Sequence, residues 1–292
     1  MRSGLLVGLL FLPATFPVQD PSAQAVSAWL RPDSMEGDAG QLAMQLEQSR
    51  TAVEPALISA AQNGPDPDTL LQIRTAAESR FDALEPWIVP NSAQIGLSAN
   101  EIQLVQEKTR DQFVAETVQD FTVAYQSRAL VGLGIIADNT AVQVLQNFAG
   151  NNASPLQAAA KKVLAGVFSA FSAQVGFSGQ PSPSFELKAK FSLGANSDGI
   201  NPATEAVILR VGTVAILIPP GSFVSNENDS FAFEGAIDDV NLEVQFAPLG
   251  NNGFAFHAKG SGASDLTSTG KTVAVGLVIG NDTGSTAASV DK

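Results

Sequence analysis

The spacing of apolar residues changes near residue 175, and this change constrains the fold more than any other feature. Before it, apolar residues recur every three or four positions, which is the period of an amphipathic helix. After it, they alternate with polar residues between turns rich in glycine, proline and asparagine, as in β-strands. The sequence therefore predicts two domains, an all-α domain over residues 41–175 and an all-β sandwich of seven to eight strands over residues 185–292.

Two further segments complete the predicted organisation. Residues 176–184 are rich in glycine, serine and proline, a composition typical of a flexible connection, and we predict the linker between the domains there. Residues 26–40 mix polar and apolar positions without a period, and we interpret them as a lead-in to the first helix.

Residues 1–25 have the organisation of a secretory signal peptide. Arg2 supplies the positive charge and residues 4–12 form a short apolar run. Ala23-Gln24-Ala25 then places small residues where a signal peptidase cleaves, so we expect a mature chain that begins at Val26 and is secreted or periplasmic. The alternative is an uncleaved membrane anchor, but the apolar run is shorter than a bilayer span and is followed by two prolines.

The composition excludes several classes of site and partner. The formal net charge is −13, which argues against nucleic acid and anionic membrane surfaces as partners but is compatible with bound cations. The chain contains no cysteine, so disulfides and thiolate metal sites are impossible. After the leader, no segment is long and apolar enough to predict a transmembrane helix, so we expect none once the signal has been cleaved.

The strongest motif of the helical half lies in residues 127–167. The segment resembles a HEAT-type repeat unit through the following residues: Ala129, Leu130, Leu133, Gly134, Asp138, Ala141, Val142, Leu145, Ala158, Ala159, Ala160 and Leu164. A looser echo of the same order covers residues 51–84. The resemblance implies a surface for packing against another protein. An ordinary helical bundle remains the alternative, because solenoids usually need at least about three units to bury a continuous core.

Four motifs in the second half occur in a specific order: Phe191–Pro202, Ile218–Phe223, Phe231–Ile237 and Val278–Gly284. In this order they resemble a module that recurs at the C-terminal ends of exported bacterial proteins of unassigned function. The resemblance implies a β fold and an exported protein. It implies no activity.

Residues suited to catalysis are scarce. His257 is the single histidine, and its alternation with Phe254 and Phe256 places it on the outer face of a predicted strand. A catalytic triad would have to use it, and histidine metal sites need several such residues. We therefore predict no enzymatic activity. A pair of carboxylates could still hydrolyse a glycoside, although every tryptophan and tyrosine that could stack on a sugar lies outside the β half.

Calcium is the one cofactor that the sequence makes plausible, because several loops offer the oxygen ligands that Ca²⁺ prefers. The favoured set is Asp198, Asn201 and Glu205. Two other loops offer the following oxygen ligands: Asn226, Glu227, Asn228 and Asp229, with help from Asp238 and Asp239, in one, and Asn281 and Asp282 in the other. None matches the EF-hand pattern, and asparagine and aspartate are also ordinary residues of tight β-turns.

Together these patterns predict an exported, non-enzymatic protein that contacts another protein or an extracellular component, or attaches to a surface. One alternative is a calcium-dependent module that binds a glycan or a matrix component. The second alternative is a carboxylate-dependent hydrolase.

Overall fold

The computed structural model describes residues 20–31, 39–91, 108–179, 183–226, 229–262 and 271–291. In these ranges the helices all precede the strands. The helices are α1 Pro21–Leu30, α2 Ala39–Gln48, α3 Arg50–Asn63, α4 Pro67–Asn91, α5 Arg110–Ile136, α6 Asn139–Gly150 and α7 Gln157–Gly166. The strands are β1 Ala170–Ser178, β2 Ser184–Ser192, β3 Val207–Val211, β4 Val214–Ile218, β5 Val224–Ser225, β6 Phe231–Ile237, β7 Val240–Gly250, β8 Gly253–Ser261, β9 Thr272–Ile279 and β10 Asp282–Asp291.

The strands form one mixed sheet in the order β4-β3-β9-β10-β1-β2-β8-β7-β6-β5. All neighbouring pairs are antiparallel except β1 and β10, which run parallel. The sheet curls into a half-barrel, and its concave side holds an apolar core built from alternate residues of most strands. Phe191, Phe246 and Phe256 are the largest fully buried side chains of this core.

The helices cover the outer face of the sheet at β3, β4, β9 and β10. Ile208 and Val278 point away from the inner core and join a second cluster with helical residues such as Leu46, Leu57 and Leu133. All five residues of β3 are buried, which is typical of a strand covered on both faces. Helices and sheet thus share a core, and the prediction of a separate all-α domain followed by an all-β sandwich is wrong.

Strand β1 joins the two halves of the sheet, and it was not predicted. It pairs with β2 along its whole length, Ala170↔Ser192 to Ser178↔Ser184, and with β10 at Gln174–Gly176. Residues 176–178 of the predicted linker therefore end β1, and Ser184 begins β2, while residues 180–182 lie outside the described residues. The segment predicted as a linker between domains is a connection between two paired strands.

Helix α1 begins before the predicted signal cleavage site and extends past it. The Asp20 carboxylate accepts a hydrogen bond from the Ser22 N–H at 3.0 Å and caps the helix. Ala25 and Val26 are buried in the helical core, and the Trp29 indole N–H donates to the Arg128 carbonyl at 2.8 Å. Residues 26–30 of the predicted lead-in are thus helical and packed. None of the helices in the described residues is long and apolar enough to cross a bilayer.

The segment with the HEAT-type resemblance, residues 127–167, contains the end of α5 and the whole of α6 and α7. Ala137 ends α5 in the left-handed conformation (φ 45°), and its N–H donates to the Leu133 carbonyl at 2.8 Å. Asp138 then caps α6 by accepting from the Ala141 N–H at 3.0 Å. These two caps account for the turn at Asp138, so the turn is not evidence for the HEAT-type resemblance.

A cluster of charged residues is buried where the helices meet the sheet. Glu47 is 1 % exposed, and its Oε2 lies 3.0 Å from Arg210 Nε and 3.5 Å from Arg50 Nη1. Arg50 also donates to the Ile136 carbonyl and, at 2.6 Å, to Ser285 Oγ. Burial raises the pKa of Glu47 despite the opposing arginines, and burial lowers the pKa of Arg210. The cluster therefore links α2 and α3 to β3 and β10, but removing these charges from water costs free energy.

Candidate functional site

The structure brings together two of the loops that the sequence offered as calcium sites. Asp198 lies in the connection between β2 and β3, and its Oδ1 accepts a hydrogen bond from Asn281 Nδ2 at 3.3 Å. Glu205, in the same connection, accepts from the Asn201 backbone N–H at 2.6 Å. Asn281 belongs to the two-residue turn between β9 and β10, in which Gly280 takes a positive φ of 57°.

Asp282 follows this turn and is fully buried. Neither of its carboxylate oxygens has a hydrogen-bond partner in the described residues. Burial raises the pKa of Asp282 to about 6, with a smaller contribution from the negative charges of Asp198 and Glu205, while the nearby Ser197 hydroxyl opposes the rise. We refer to Asp198, Glu205 and Asp282 as the Asp282 cluster.

The Asp282 cluster does not form a ready metal site. Across the described ranges, no three histidine, cysteine, aspartate or glutamate side chains converge as a set that could hold a metal ion. The Asn201 backbone N–H already occupies one oxygen of the Glu205 carboxylate. Calcium binding by Asp198, Asn201 and Glu205 therefore stays a prediction.

In the other predicted acidic set, the described aspartates lie in tight turns. Asp238 and Asp239 form the two-residue turn between β6 and β7 with φ values of 47° and 67°. Asp229 also takes a positive φ of 55°, and residues 227–228 lie outside the described residues. Aspartate tolerates this left-handed conformation, so backbone geometry accounts for these three acids.

Asp282 is expected to make the protein less stable as the pH rises from about 4 to about 6. The folded state holds a proton on Asp282 up to about pH 6, whereas the unfolded chain releases it near the ordinary value of 3.8. The free energy of unfolding should fall by at most about 3 kcal/mol across this window, with most of the stability present below it. Urea unfolding of the wild type and Asp282→Asn between pH 4 and pH 8 measures the effect.

The Asp282→Asn variant serves as its own control, because it keeps the shape of the side chain and removes the titration. Its stability should change less with pH, and it should exceed the wild type near pH 7. Parallel profiles for the two proteins would contradict the assignment. Repeating the wild-type measurement at pH 7 with calcium and then with chelator tests the predicted metal site, since calcium bound by Asp198, Asn201 and Glu205 would raise the free energy of unfolding.

His257 lies on the outer face of the sheet, opposite Lys188 of β2 and Gln245 of β7. Its Nε2 is 3.0 Å from Glu186 Oε1, and Lys188 Nζ is 3.2 Å from the same oxygen. The hydrogen bond from His257, followed by that from Lys188, lowers the pKa of Glu186. Glu186 is thereby held as a carboxylate, which is unsuited to donating a proton in general acid catalysis.

A groove with a volume of about 700 Å³ crosses one end of β1, β2, β8, β7 and β6. We call it the sheet groove. Its polar lining residues are Ser178, Ser184, Glu186, Glu234, Asn241, Glu243, Lys259 and Ser261. The groove is a concave feature in which several polar groups converge, which makes it the candidate binding site.

The strand register builds the charged row of this groove. Glu186 pairs with Lys259, Lys259 with Glu243, and Glu243 with Glu234. Residues directly opposite each other on antiparallel strands point to the same face, so these four side chains form one row. From β2 to β6, the charges in this row are negative, positive, negative and negative. Glu243 and Glu234 therefore lie side by side, and Lys259 flanks only one of them.

Glycine shapes the groove at the adjoining row of residues. Gly260 stands between Phe185 of β2 and Leu242 of β7 in the register. A Cβ atom at Gly260 would lie 2.2 Å from the Phe185 ring, so only glycine lets this ring lie across the strand. Phe185 thereby closes the end of the apolar core beneath the groove.

A smaller cleft of about 410 Å³ lies between α6 and the strands β1 and β10. Its lining includes amide and hydroxyl side chains such as Gln143, Gln146 and Ser285, above Phe168 and Phe171. No acidic or basic side chain lines it, so its serine hydroxyls have no general base beside them in the cleft.

The sheet groove was not predicted from the sequence. Predicted strands contained Glu186, Glu234 and Glu243, whereas the predicted strand 254–258 ended one residue before Lys259. The row depends on β8 lying between β2 and β7. Alternation within one strand does not give the order of strands in the sheet.

Comparison with known proteins adds no assignment. No family model, no curated protein and no solved structure matches the chain. The resemblances of residues 127–167 to a HEAT-type unit and of the second half to an exported module therefore stay predictions.

Proposed function

We propose that this protein is a non-enzymatic interaction protein whose sheet groove binds a positively charged segment of another protein. The observation that carries the proposal is the direct pairing of Glu234 with Glu243 in the groove. Like charges directly opposite each other destabilise a sheet, and a lysine or arginine placed between them would relieve the repulsion. The net charge of −13 favours the same class of partner.

The groove supports binding better than glycoside hydrolysis. Glu186, Glu234 and Glu243 do share one groove, as the hydrolase alternative requires. A general acid, however, needs a raised pKa, and the pKa of Glu186 is lowered by His257 and Lys188. The aromatic residues beside the groove are Phe177 and Phe185, and Phe185 is only 3 % exposed. Neither observation favours a sugar substrate.

Export is part of the proposal, but we move the end of the predicted signal peptide. The charged residue Arg2 and the apolar run at residues 4–12 support a targeting segment. We place the end of that segment before Asp20, because Asp20 caps α1 and Ala25 and Val26 are buried in the helical core. The partner would then be an exported or extracellular protein.

Charge-neutralising variants test the groove. A blocked pentalysine peptide is titrated into the full chain by calorimetry at low and at physiological salt. We expect Glu243→Gln and Glu234→Gln each to weaken binding about two- to fivefold, since a single exposed ion pair contributes up to about 1 kcal/mol. Salt should weaken the binding of the wild type more than that of either variant.

The matched control is Asp120→Asn, which removes the same charge from an exposed position on α5, far along the chain from the groove. It should bind the peptide as the wild type does. Equal weakening by Asp120→Asn would show that only the net charge matters, and unchanged binding by both glutamine variants would contradict the proposal.

A further inference from the structure

Strand β6 has an open edge. On one side it pairs with β7 from Phe231↔Phe246 to Ile237↔Val240. On the other side the two-residue strand β5 pairs only with Phe231 and Ala232. In the described ranges, no strand pairs with residues 233–237 on that side.

The turn geometry shows which backbone groups face this edge. Asp238 and Asp239 form a two-residue turn with positive φ, so Ile237 and Val240 flank it as a hydrogen-bonded pair. Hydrogen-bonded pairs then alternate along β6, which directs the N–H and C=O groups of Glu234 and Ala236 away from β7. The pairing of Ala232 with Val224 of β5 agrees with this alternation.

Within the described residues, positions 233–237 of this edge carry no lysine, no proline and no paired strand on the outer side. Proteins block exposed edge strands with lysine, proline, bulges or covering segments. The sequence of β6 is Phe-Ala-Phe-Glu-Gly-Ala-Ile, with Glu234 as its only charge. Glu234 lines the sheet groove beside Glu243, so the open edge adjoins a pair of glutamates of which only Glu243 has a lysine, Lys259, opposite it.

We infer that the β6 edge accepts an extended cationic segment of the partner as an added strand. This inference rests on the proposed function and specifies how the groove would bind. The segment pairs through the outward N–H and C=O groups of Glu234 and Ala236. A lysine or arginine of the segment lies against Glu234 and Glu243. A second copy of this chain is disfavoured as occupant, because each copy carries a net charge of −13.

A proline at the edge separates strand addition from charge alone. Ala236→Pro removes an outward N–H and leaves the ladder between β6 and β7 intact, and an edge position tolerates proline. The matched control Ala236→Val keeps the N–H. The probe is a blocked seven-residue peptide of alternating threonine and lysine, titrated into the full chain by calorimetry. We expect Ala236→Pro to weaken binding at least about tenfold and Ala236→Val less than about twofold.

A second probe keeps the test valid if Ala236→Pro fails to fold in a thermal melt. The same peptide with alternate backbone amides methylated keeps its charge but cannot complete a strand ladder, so the wild type should bind it at least about tenfold more weakly.

The outcomes distinguish the inference from the proposed function. Equal binding by Ala236→Pro and the wild type, with weaker binding by Glu243→Gln, overturns strand addition and leaves the charged groove in place. Absence of binding by the wild type overturns both. Concentration-dependent dimerisation without peptide, abolished by Ala236→Pro, would assign the edge to a second copy and overturn the inference.

Discussion

Replacing Glu47 with alanine is expected to lower the free energy of unfolding by about 3–5 kcal/mol. Glu47 is the carboxylate between Arg50 and Arg210, which are both 7 % exposed. Without it, the two buried guanidinium groups lose the carboxylate between them, and Glu54 remains as an opposing charge for Arg50 only. For a chain of this size the loss should lower the melting temperature by roughly 10 °C, measurable by circular dichroism or calorimetry.

The opposite result is expected when the whole cluster becomes apolar. Burial raises the pKa of Glu47 and lowers that of Arg210, so desolvation outweighs the pairing of the charges. The triple variant Glu47→Leu, Arg50→Met, Arg210→Leu should therefore recover most of the stability lost in Glu47→Ala.

A single control separates the charge from the volume of the side chain. Glu47→Gln keeps the shape and can still accept a hydrogen bond from Arg50. It nevertheless leaves the excess positive charge, so it should be destabilised nearly as much as Glu47→Ala. A Glu47→Gln protein as stable as the wild type would show that packing, rather than charge, holds α2 and α3 on the sheet.

Removing the residues before Val26 is expected to destabilise the protein by about 3–5 kcal/mol relative to a chain that begins at Asp20. The shorter chain loses the Asp20 cap and the first half of α1, including the buried Ala25. Trp29 and Leu30, which are 2 % and 3 % exposed, would then rest on a helix too short to persist. Thermal melts of the two chains, with a difference of roughly 10 °C, measure the effect.

The result bears on where the leader ends. Equal melting of the two chains would contradict the packing role of α1 and restore cleavage after Ala25. N-terminal sequencing of the protein recovered from an exporting host provides the independent readout. A mature chain that keeps Asp20 and Ser22 agrees with the helix, and a chain that begins at Val26 does not.

Most strands could be predicted because their signals are local. Alternation of apolar and polar residues predicts strands at 185–191, 231–237 and 272–279. β6 and β9 have the predicted bounds, and β2 is one residue longer at each end. Residues 206–211 and 213–218 on either side of Gly212 are compatible with one kinked strand or with two, and the structure has two, β3 and β4, paired around a glycine with φ 63°. Alternation and glycine in a tight turn are properties of a few neighbouring residues.

Strand β1 was missed although its signal was present. Phe171, Ala173, Val175 and Phe177 alternate with polar or small residues. The residues before β1 have a helical period, and glycines and prolines follow it. These two signals indicated a domain boundary, and they were given more weight than the alternation within β1. The error mattered because β1 is the strand through which β10 and β2 join one sheet.

The candidate sites depended on contacts between distant residues. Asp282 and Asp198 were assigned to separate loops, and the hydrogen bond between Asn281 and Asp198 joins positions 83 residues apart. The charged row of the sheet groove likewise requires β8 to lie between β2 and β7. Strand order is decided by which faces can be buried together, and a local pattern does not contain that information.

The sequence by itself determined most of the helical and extended segments, although not α1 or β1. It also determined the absence of disulfides, the acidity and the outward position of His257, since each follows from composition or from a period of two or of 3.6 residues. Only the tertiary structure decided that helices and strands share one core, that α1 includes the predicted cleavage site, and that Glu234 and Glu243 meet beside an open edge. These features arise from burial of apolar surface between segments far apart in the chain. Burial of this kind is a property of the whole fold and has no local signature.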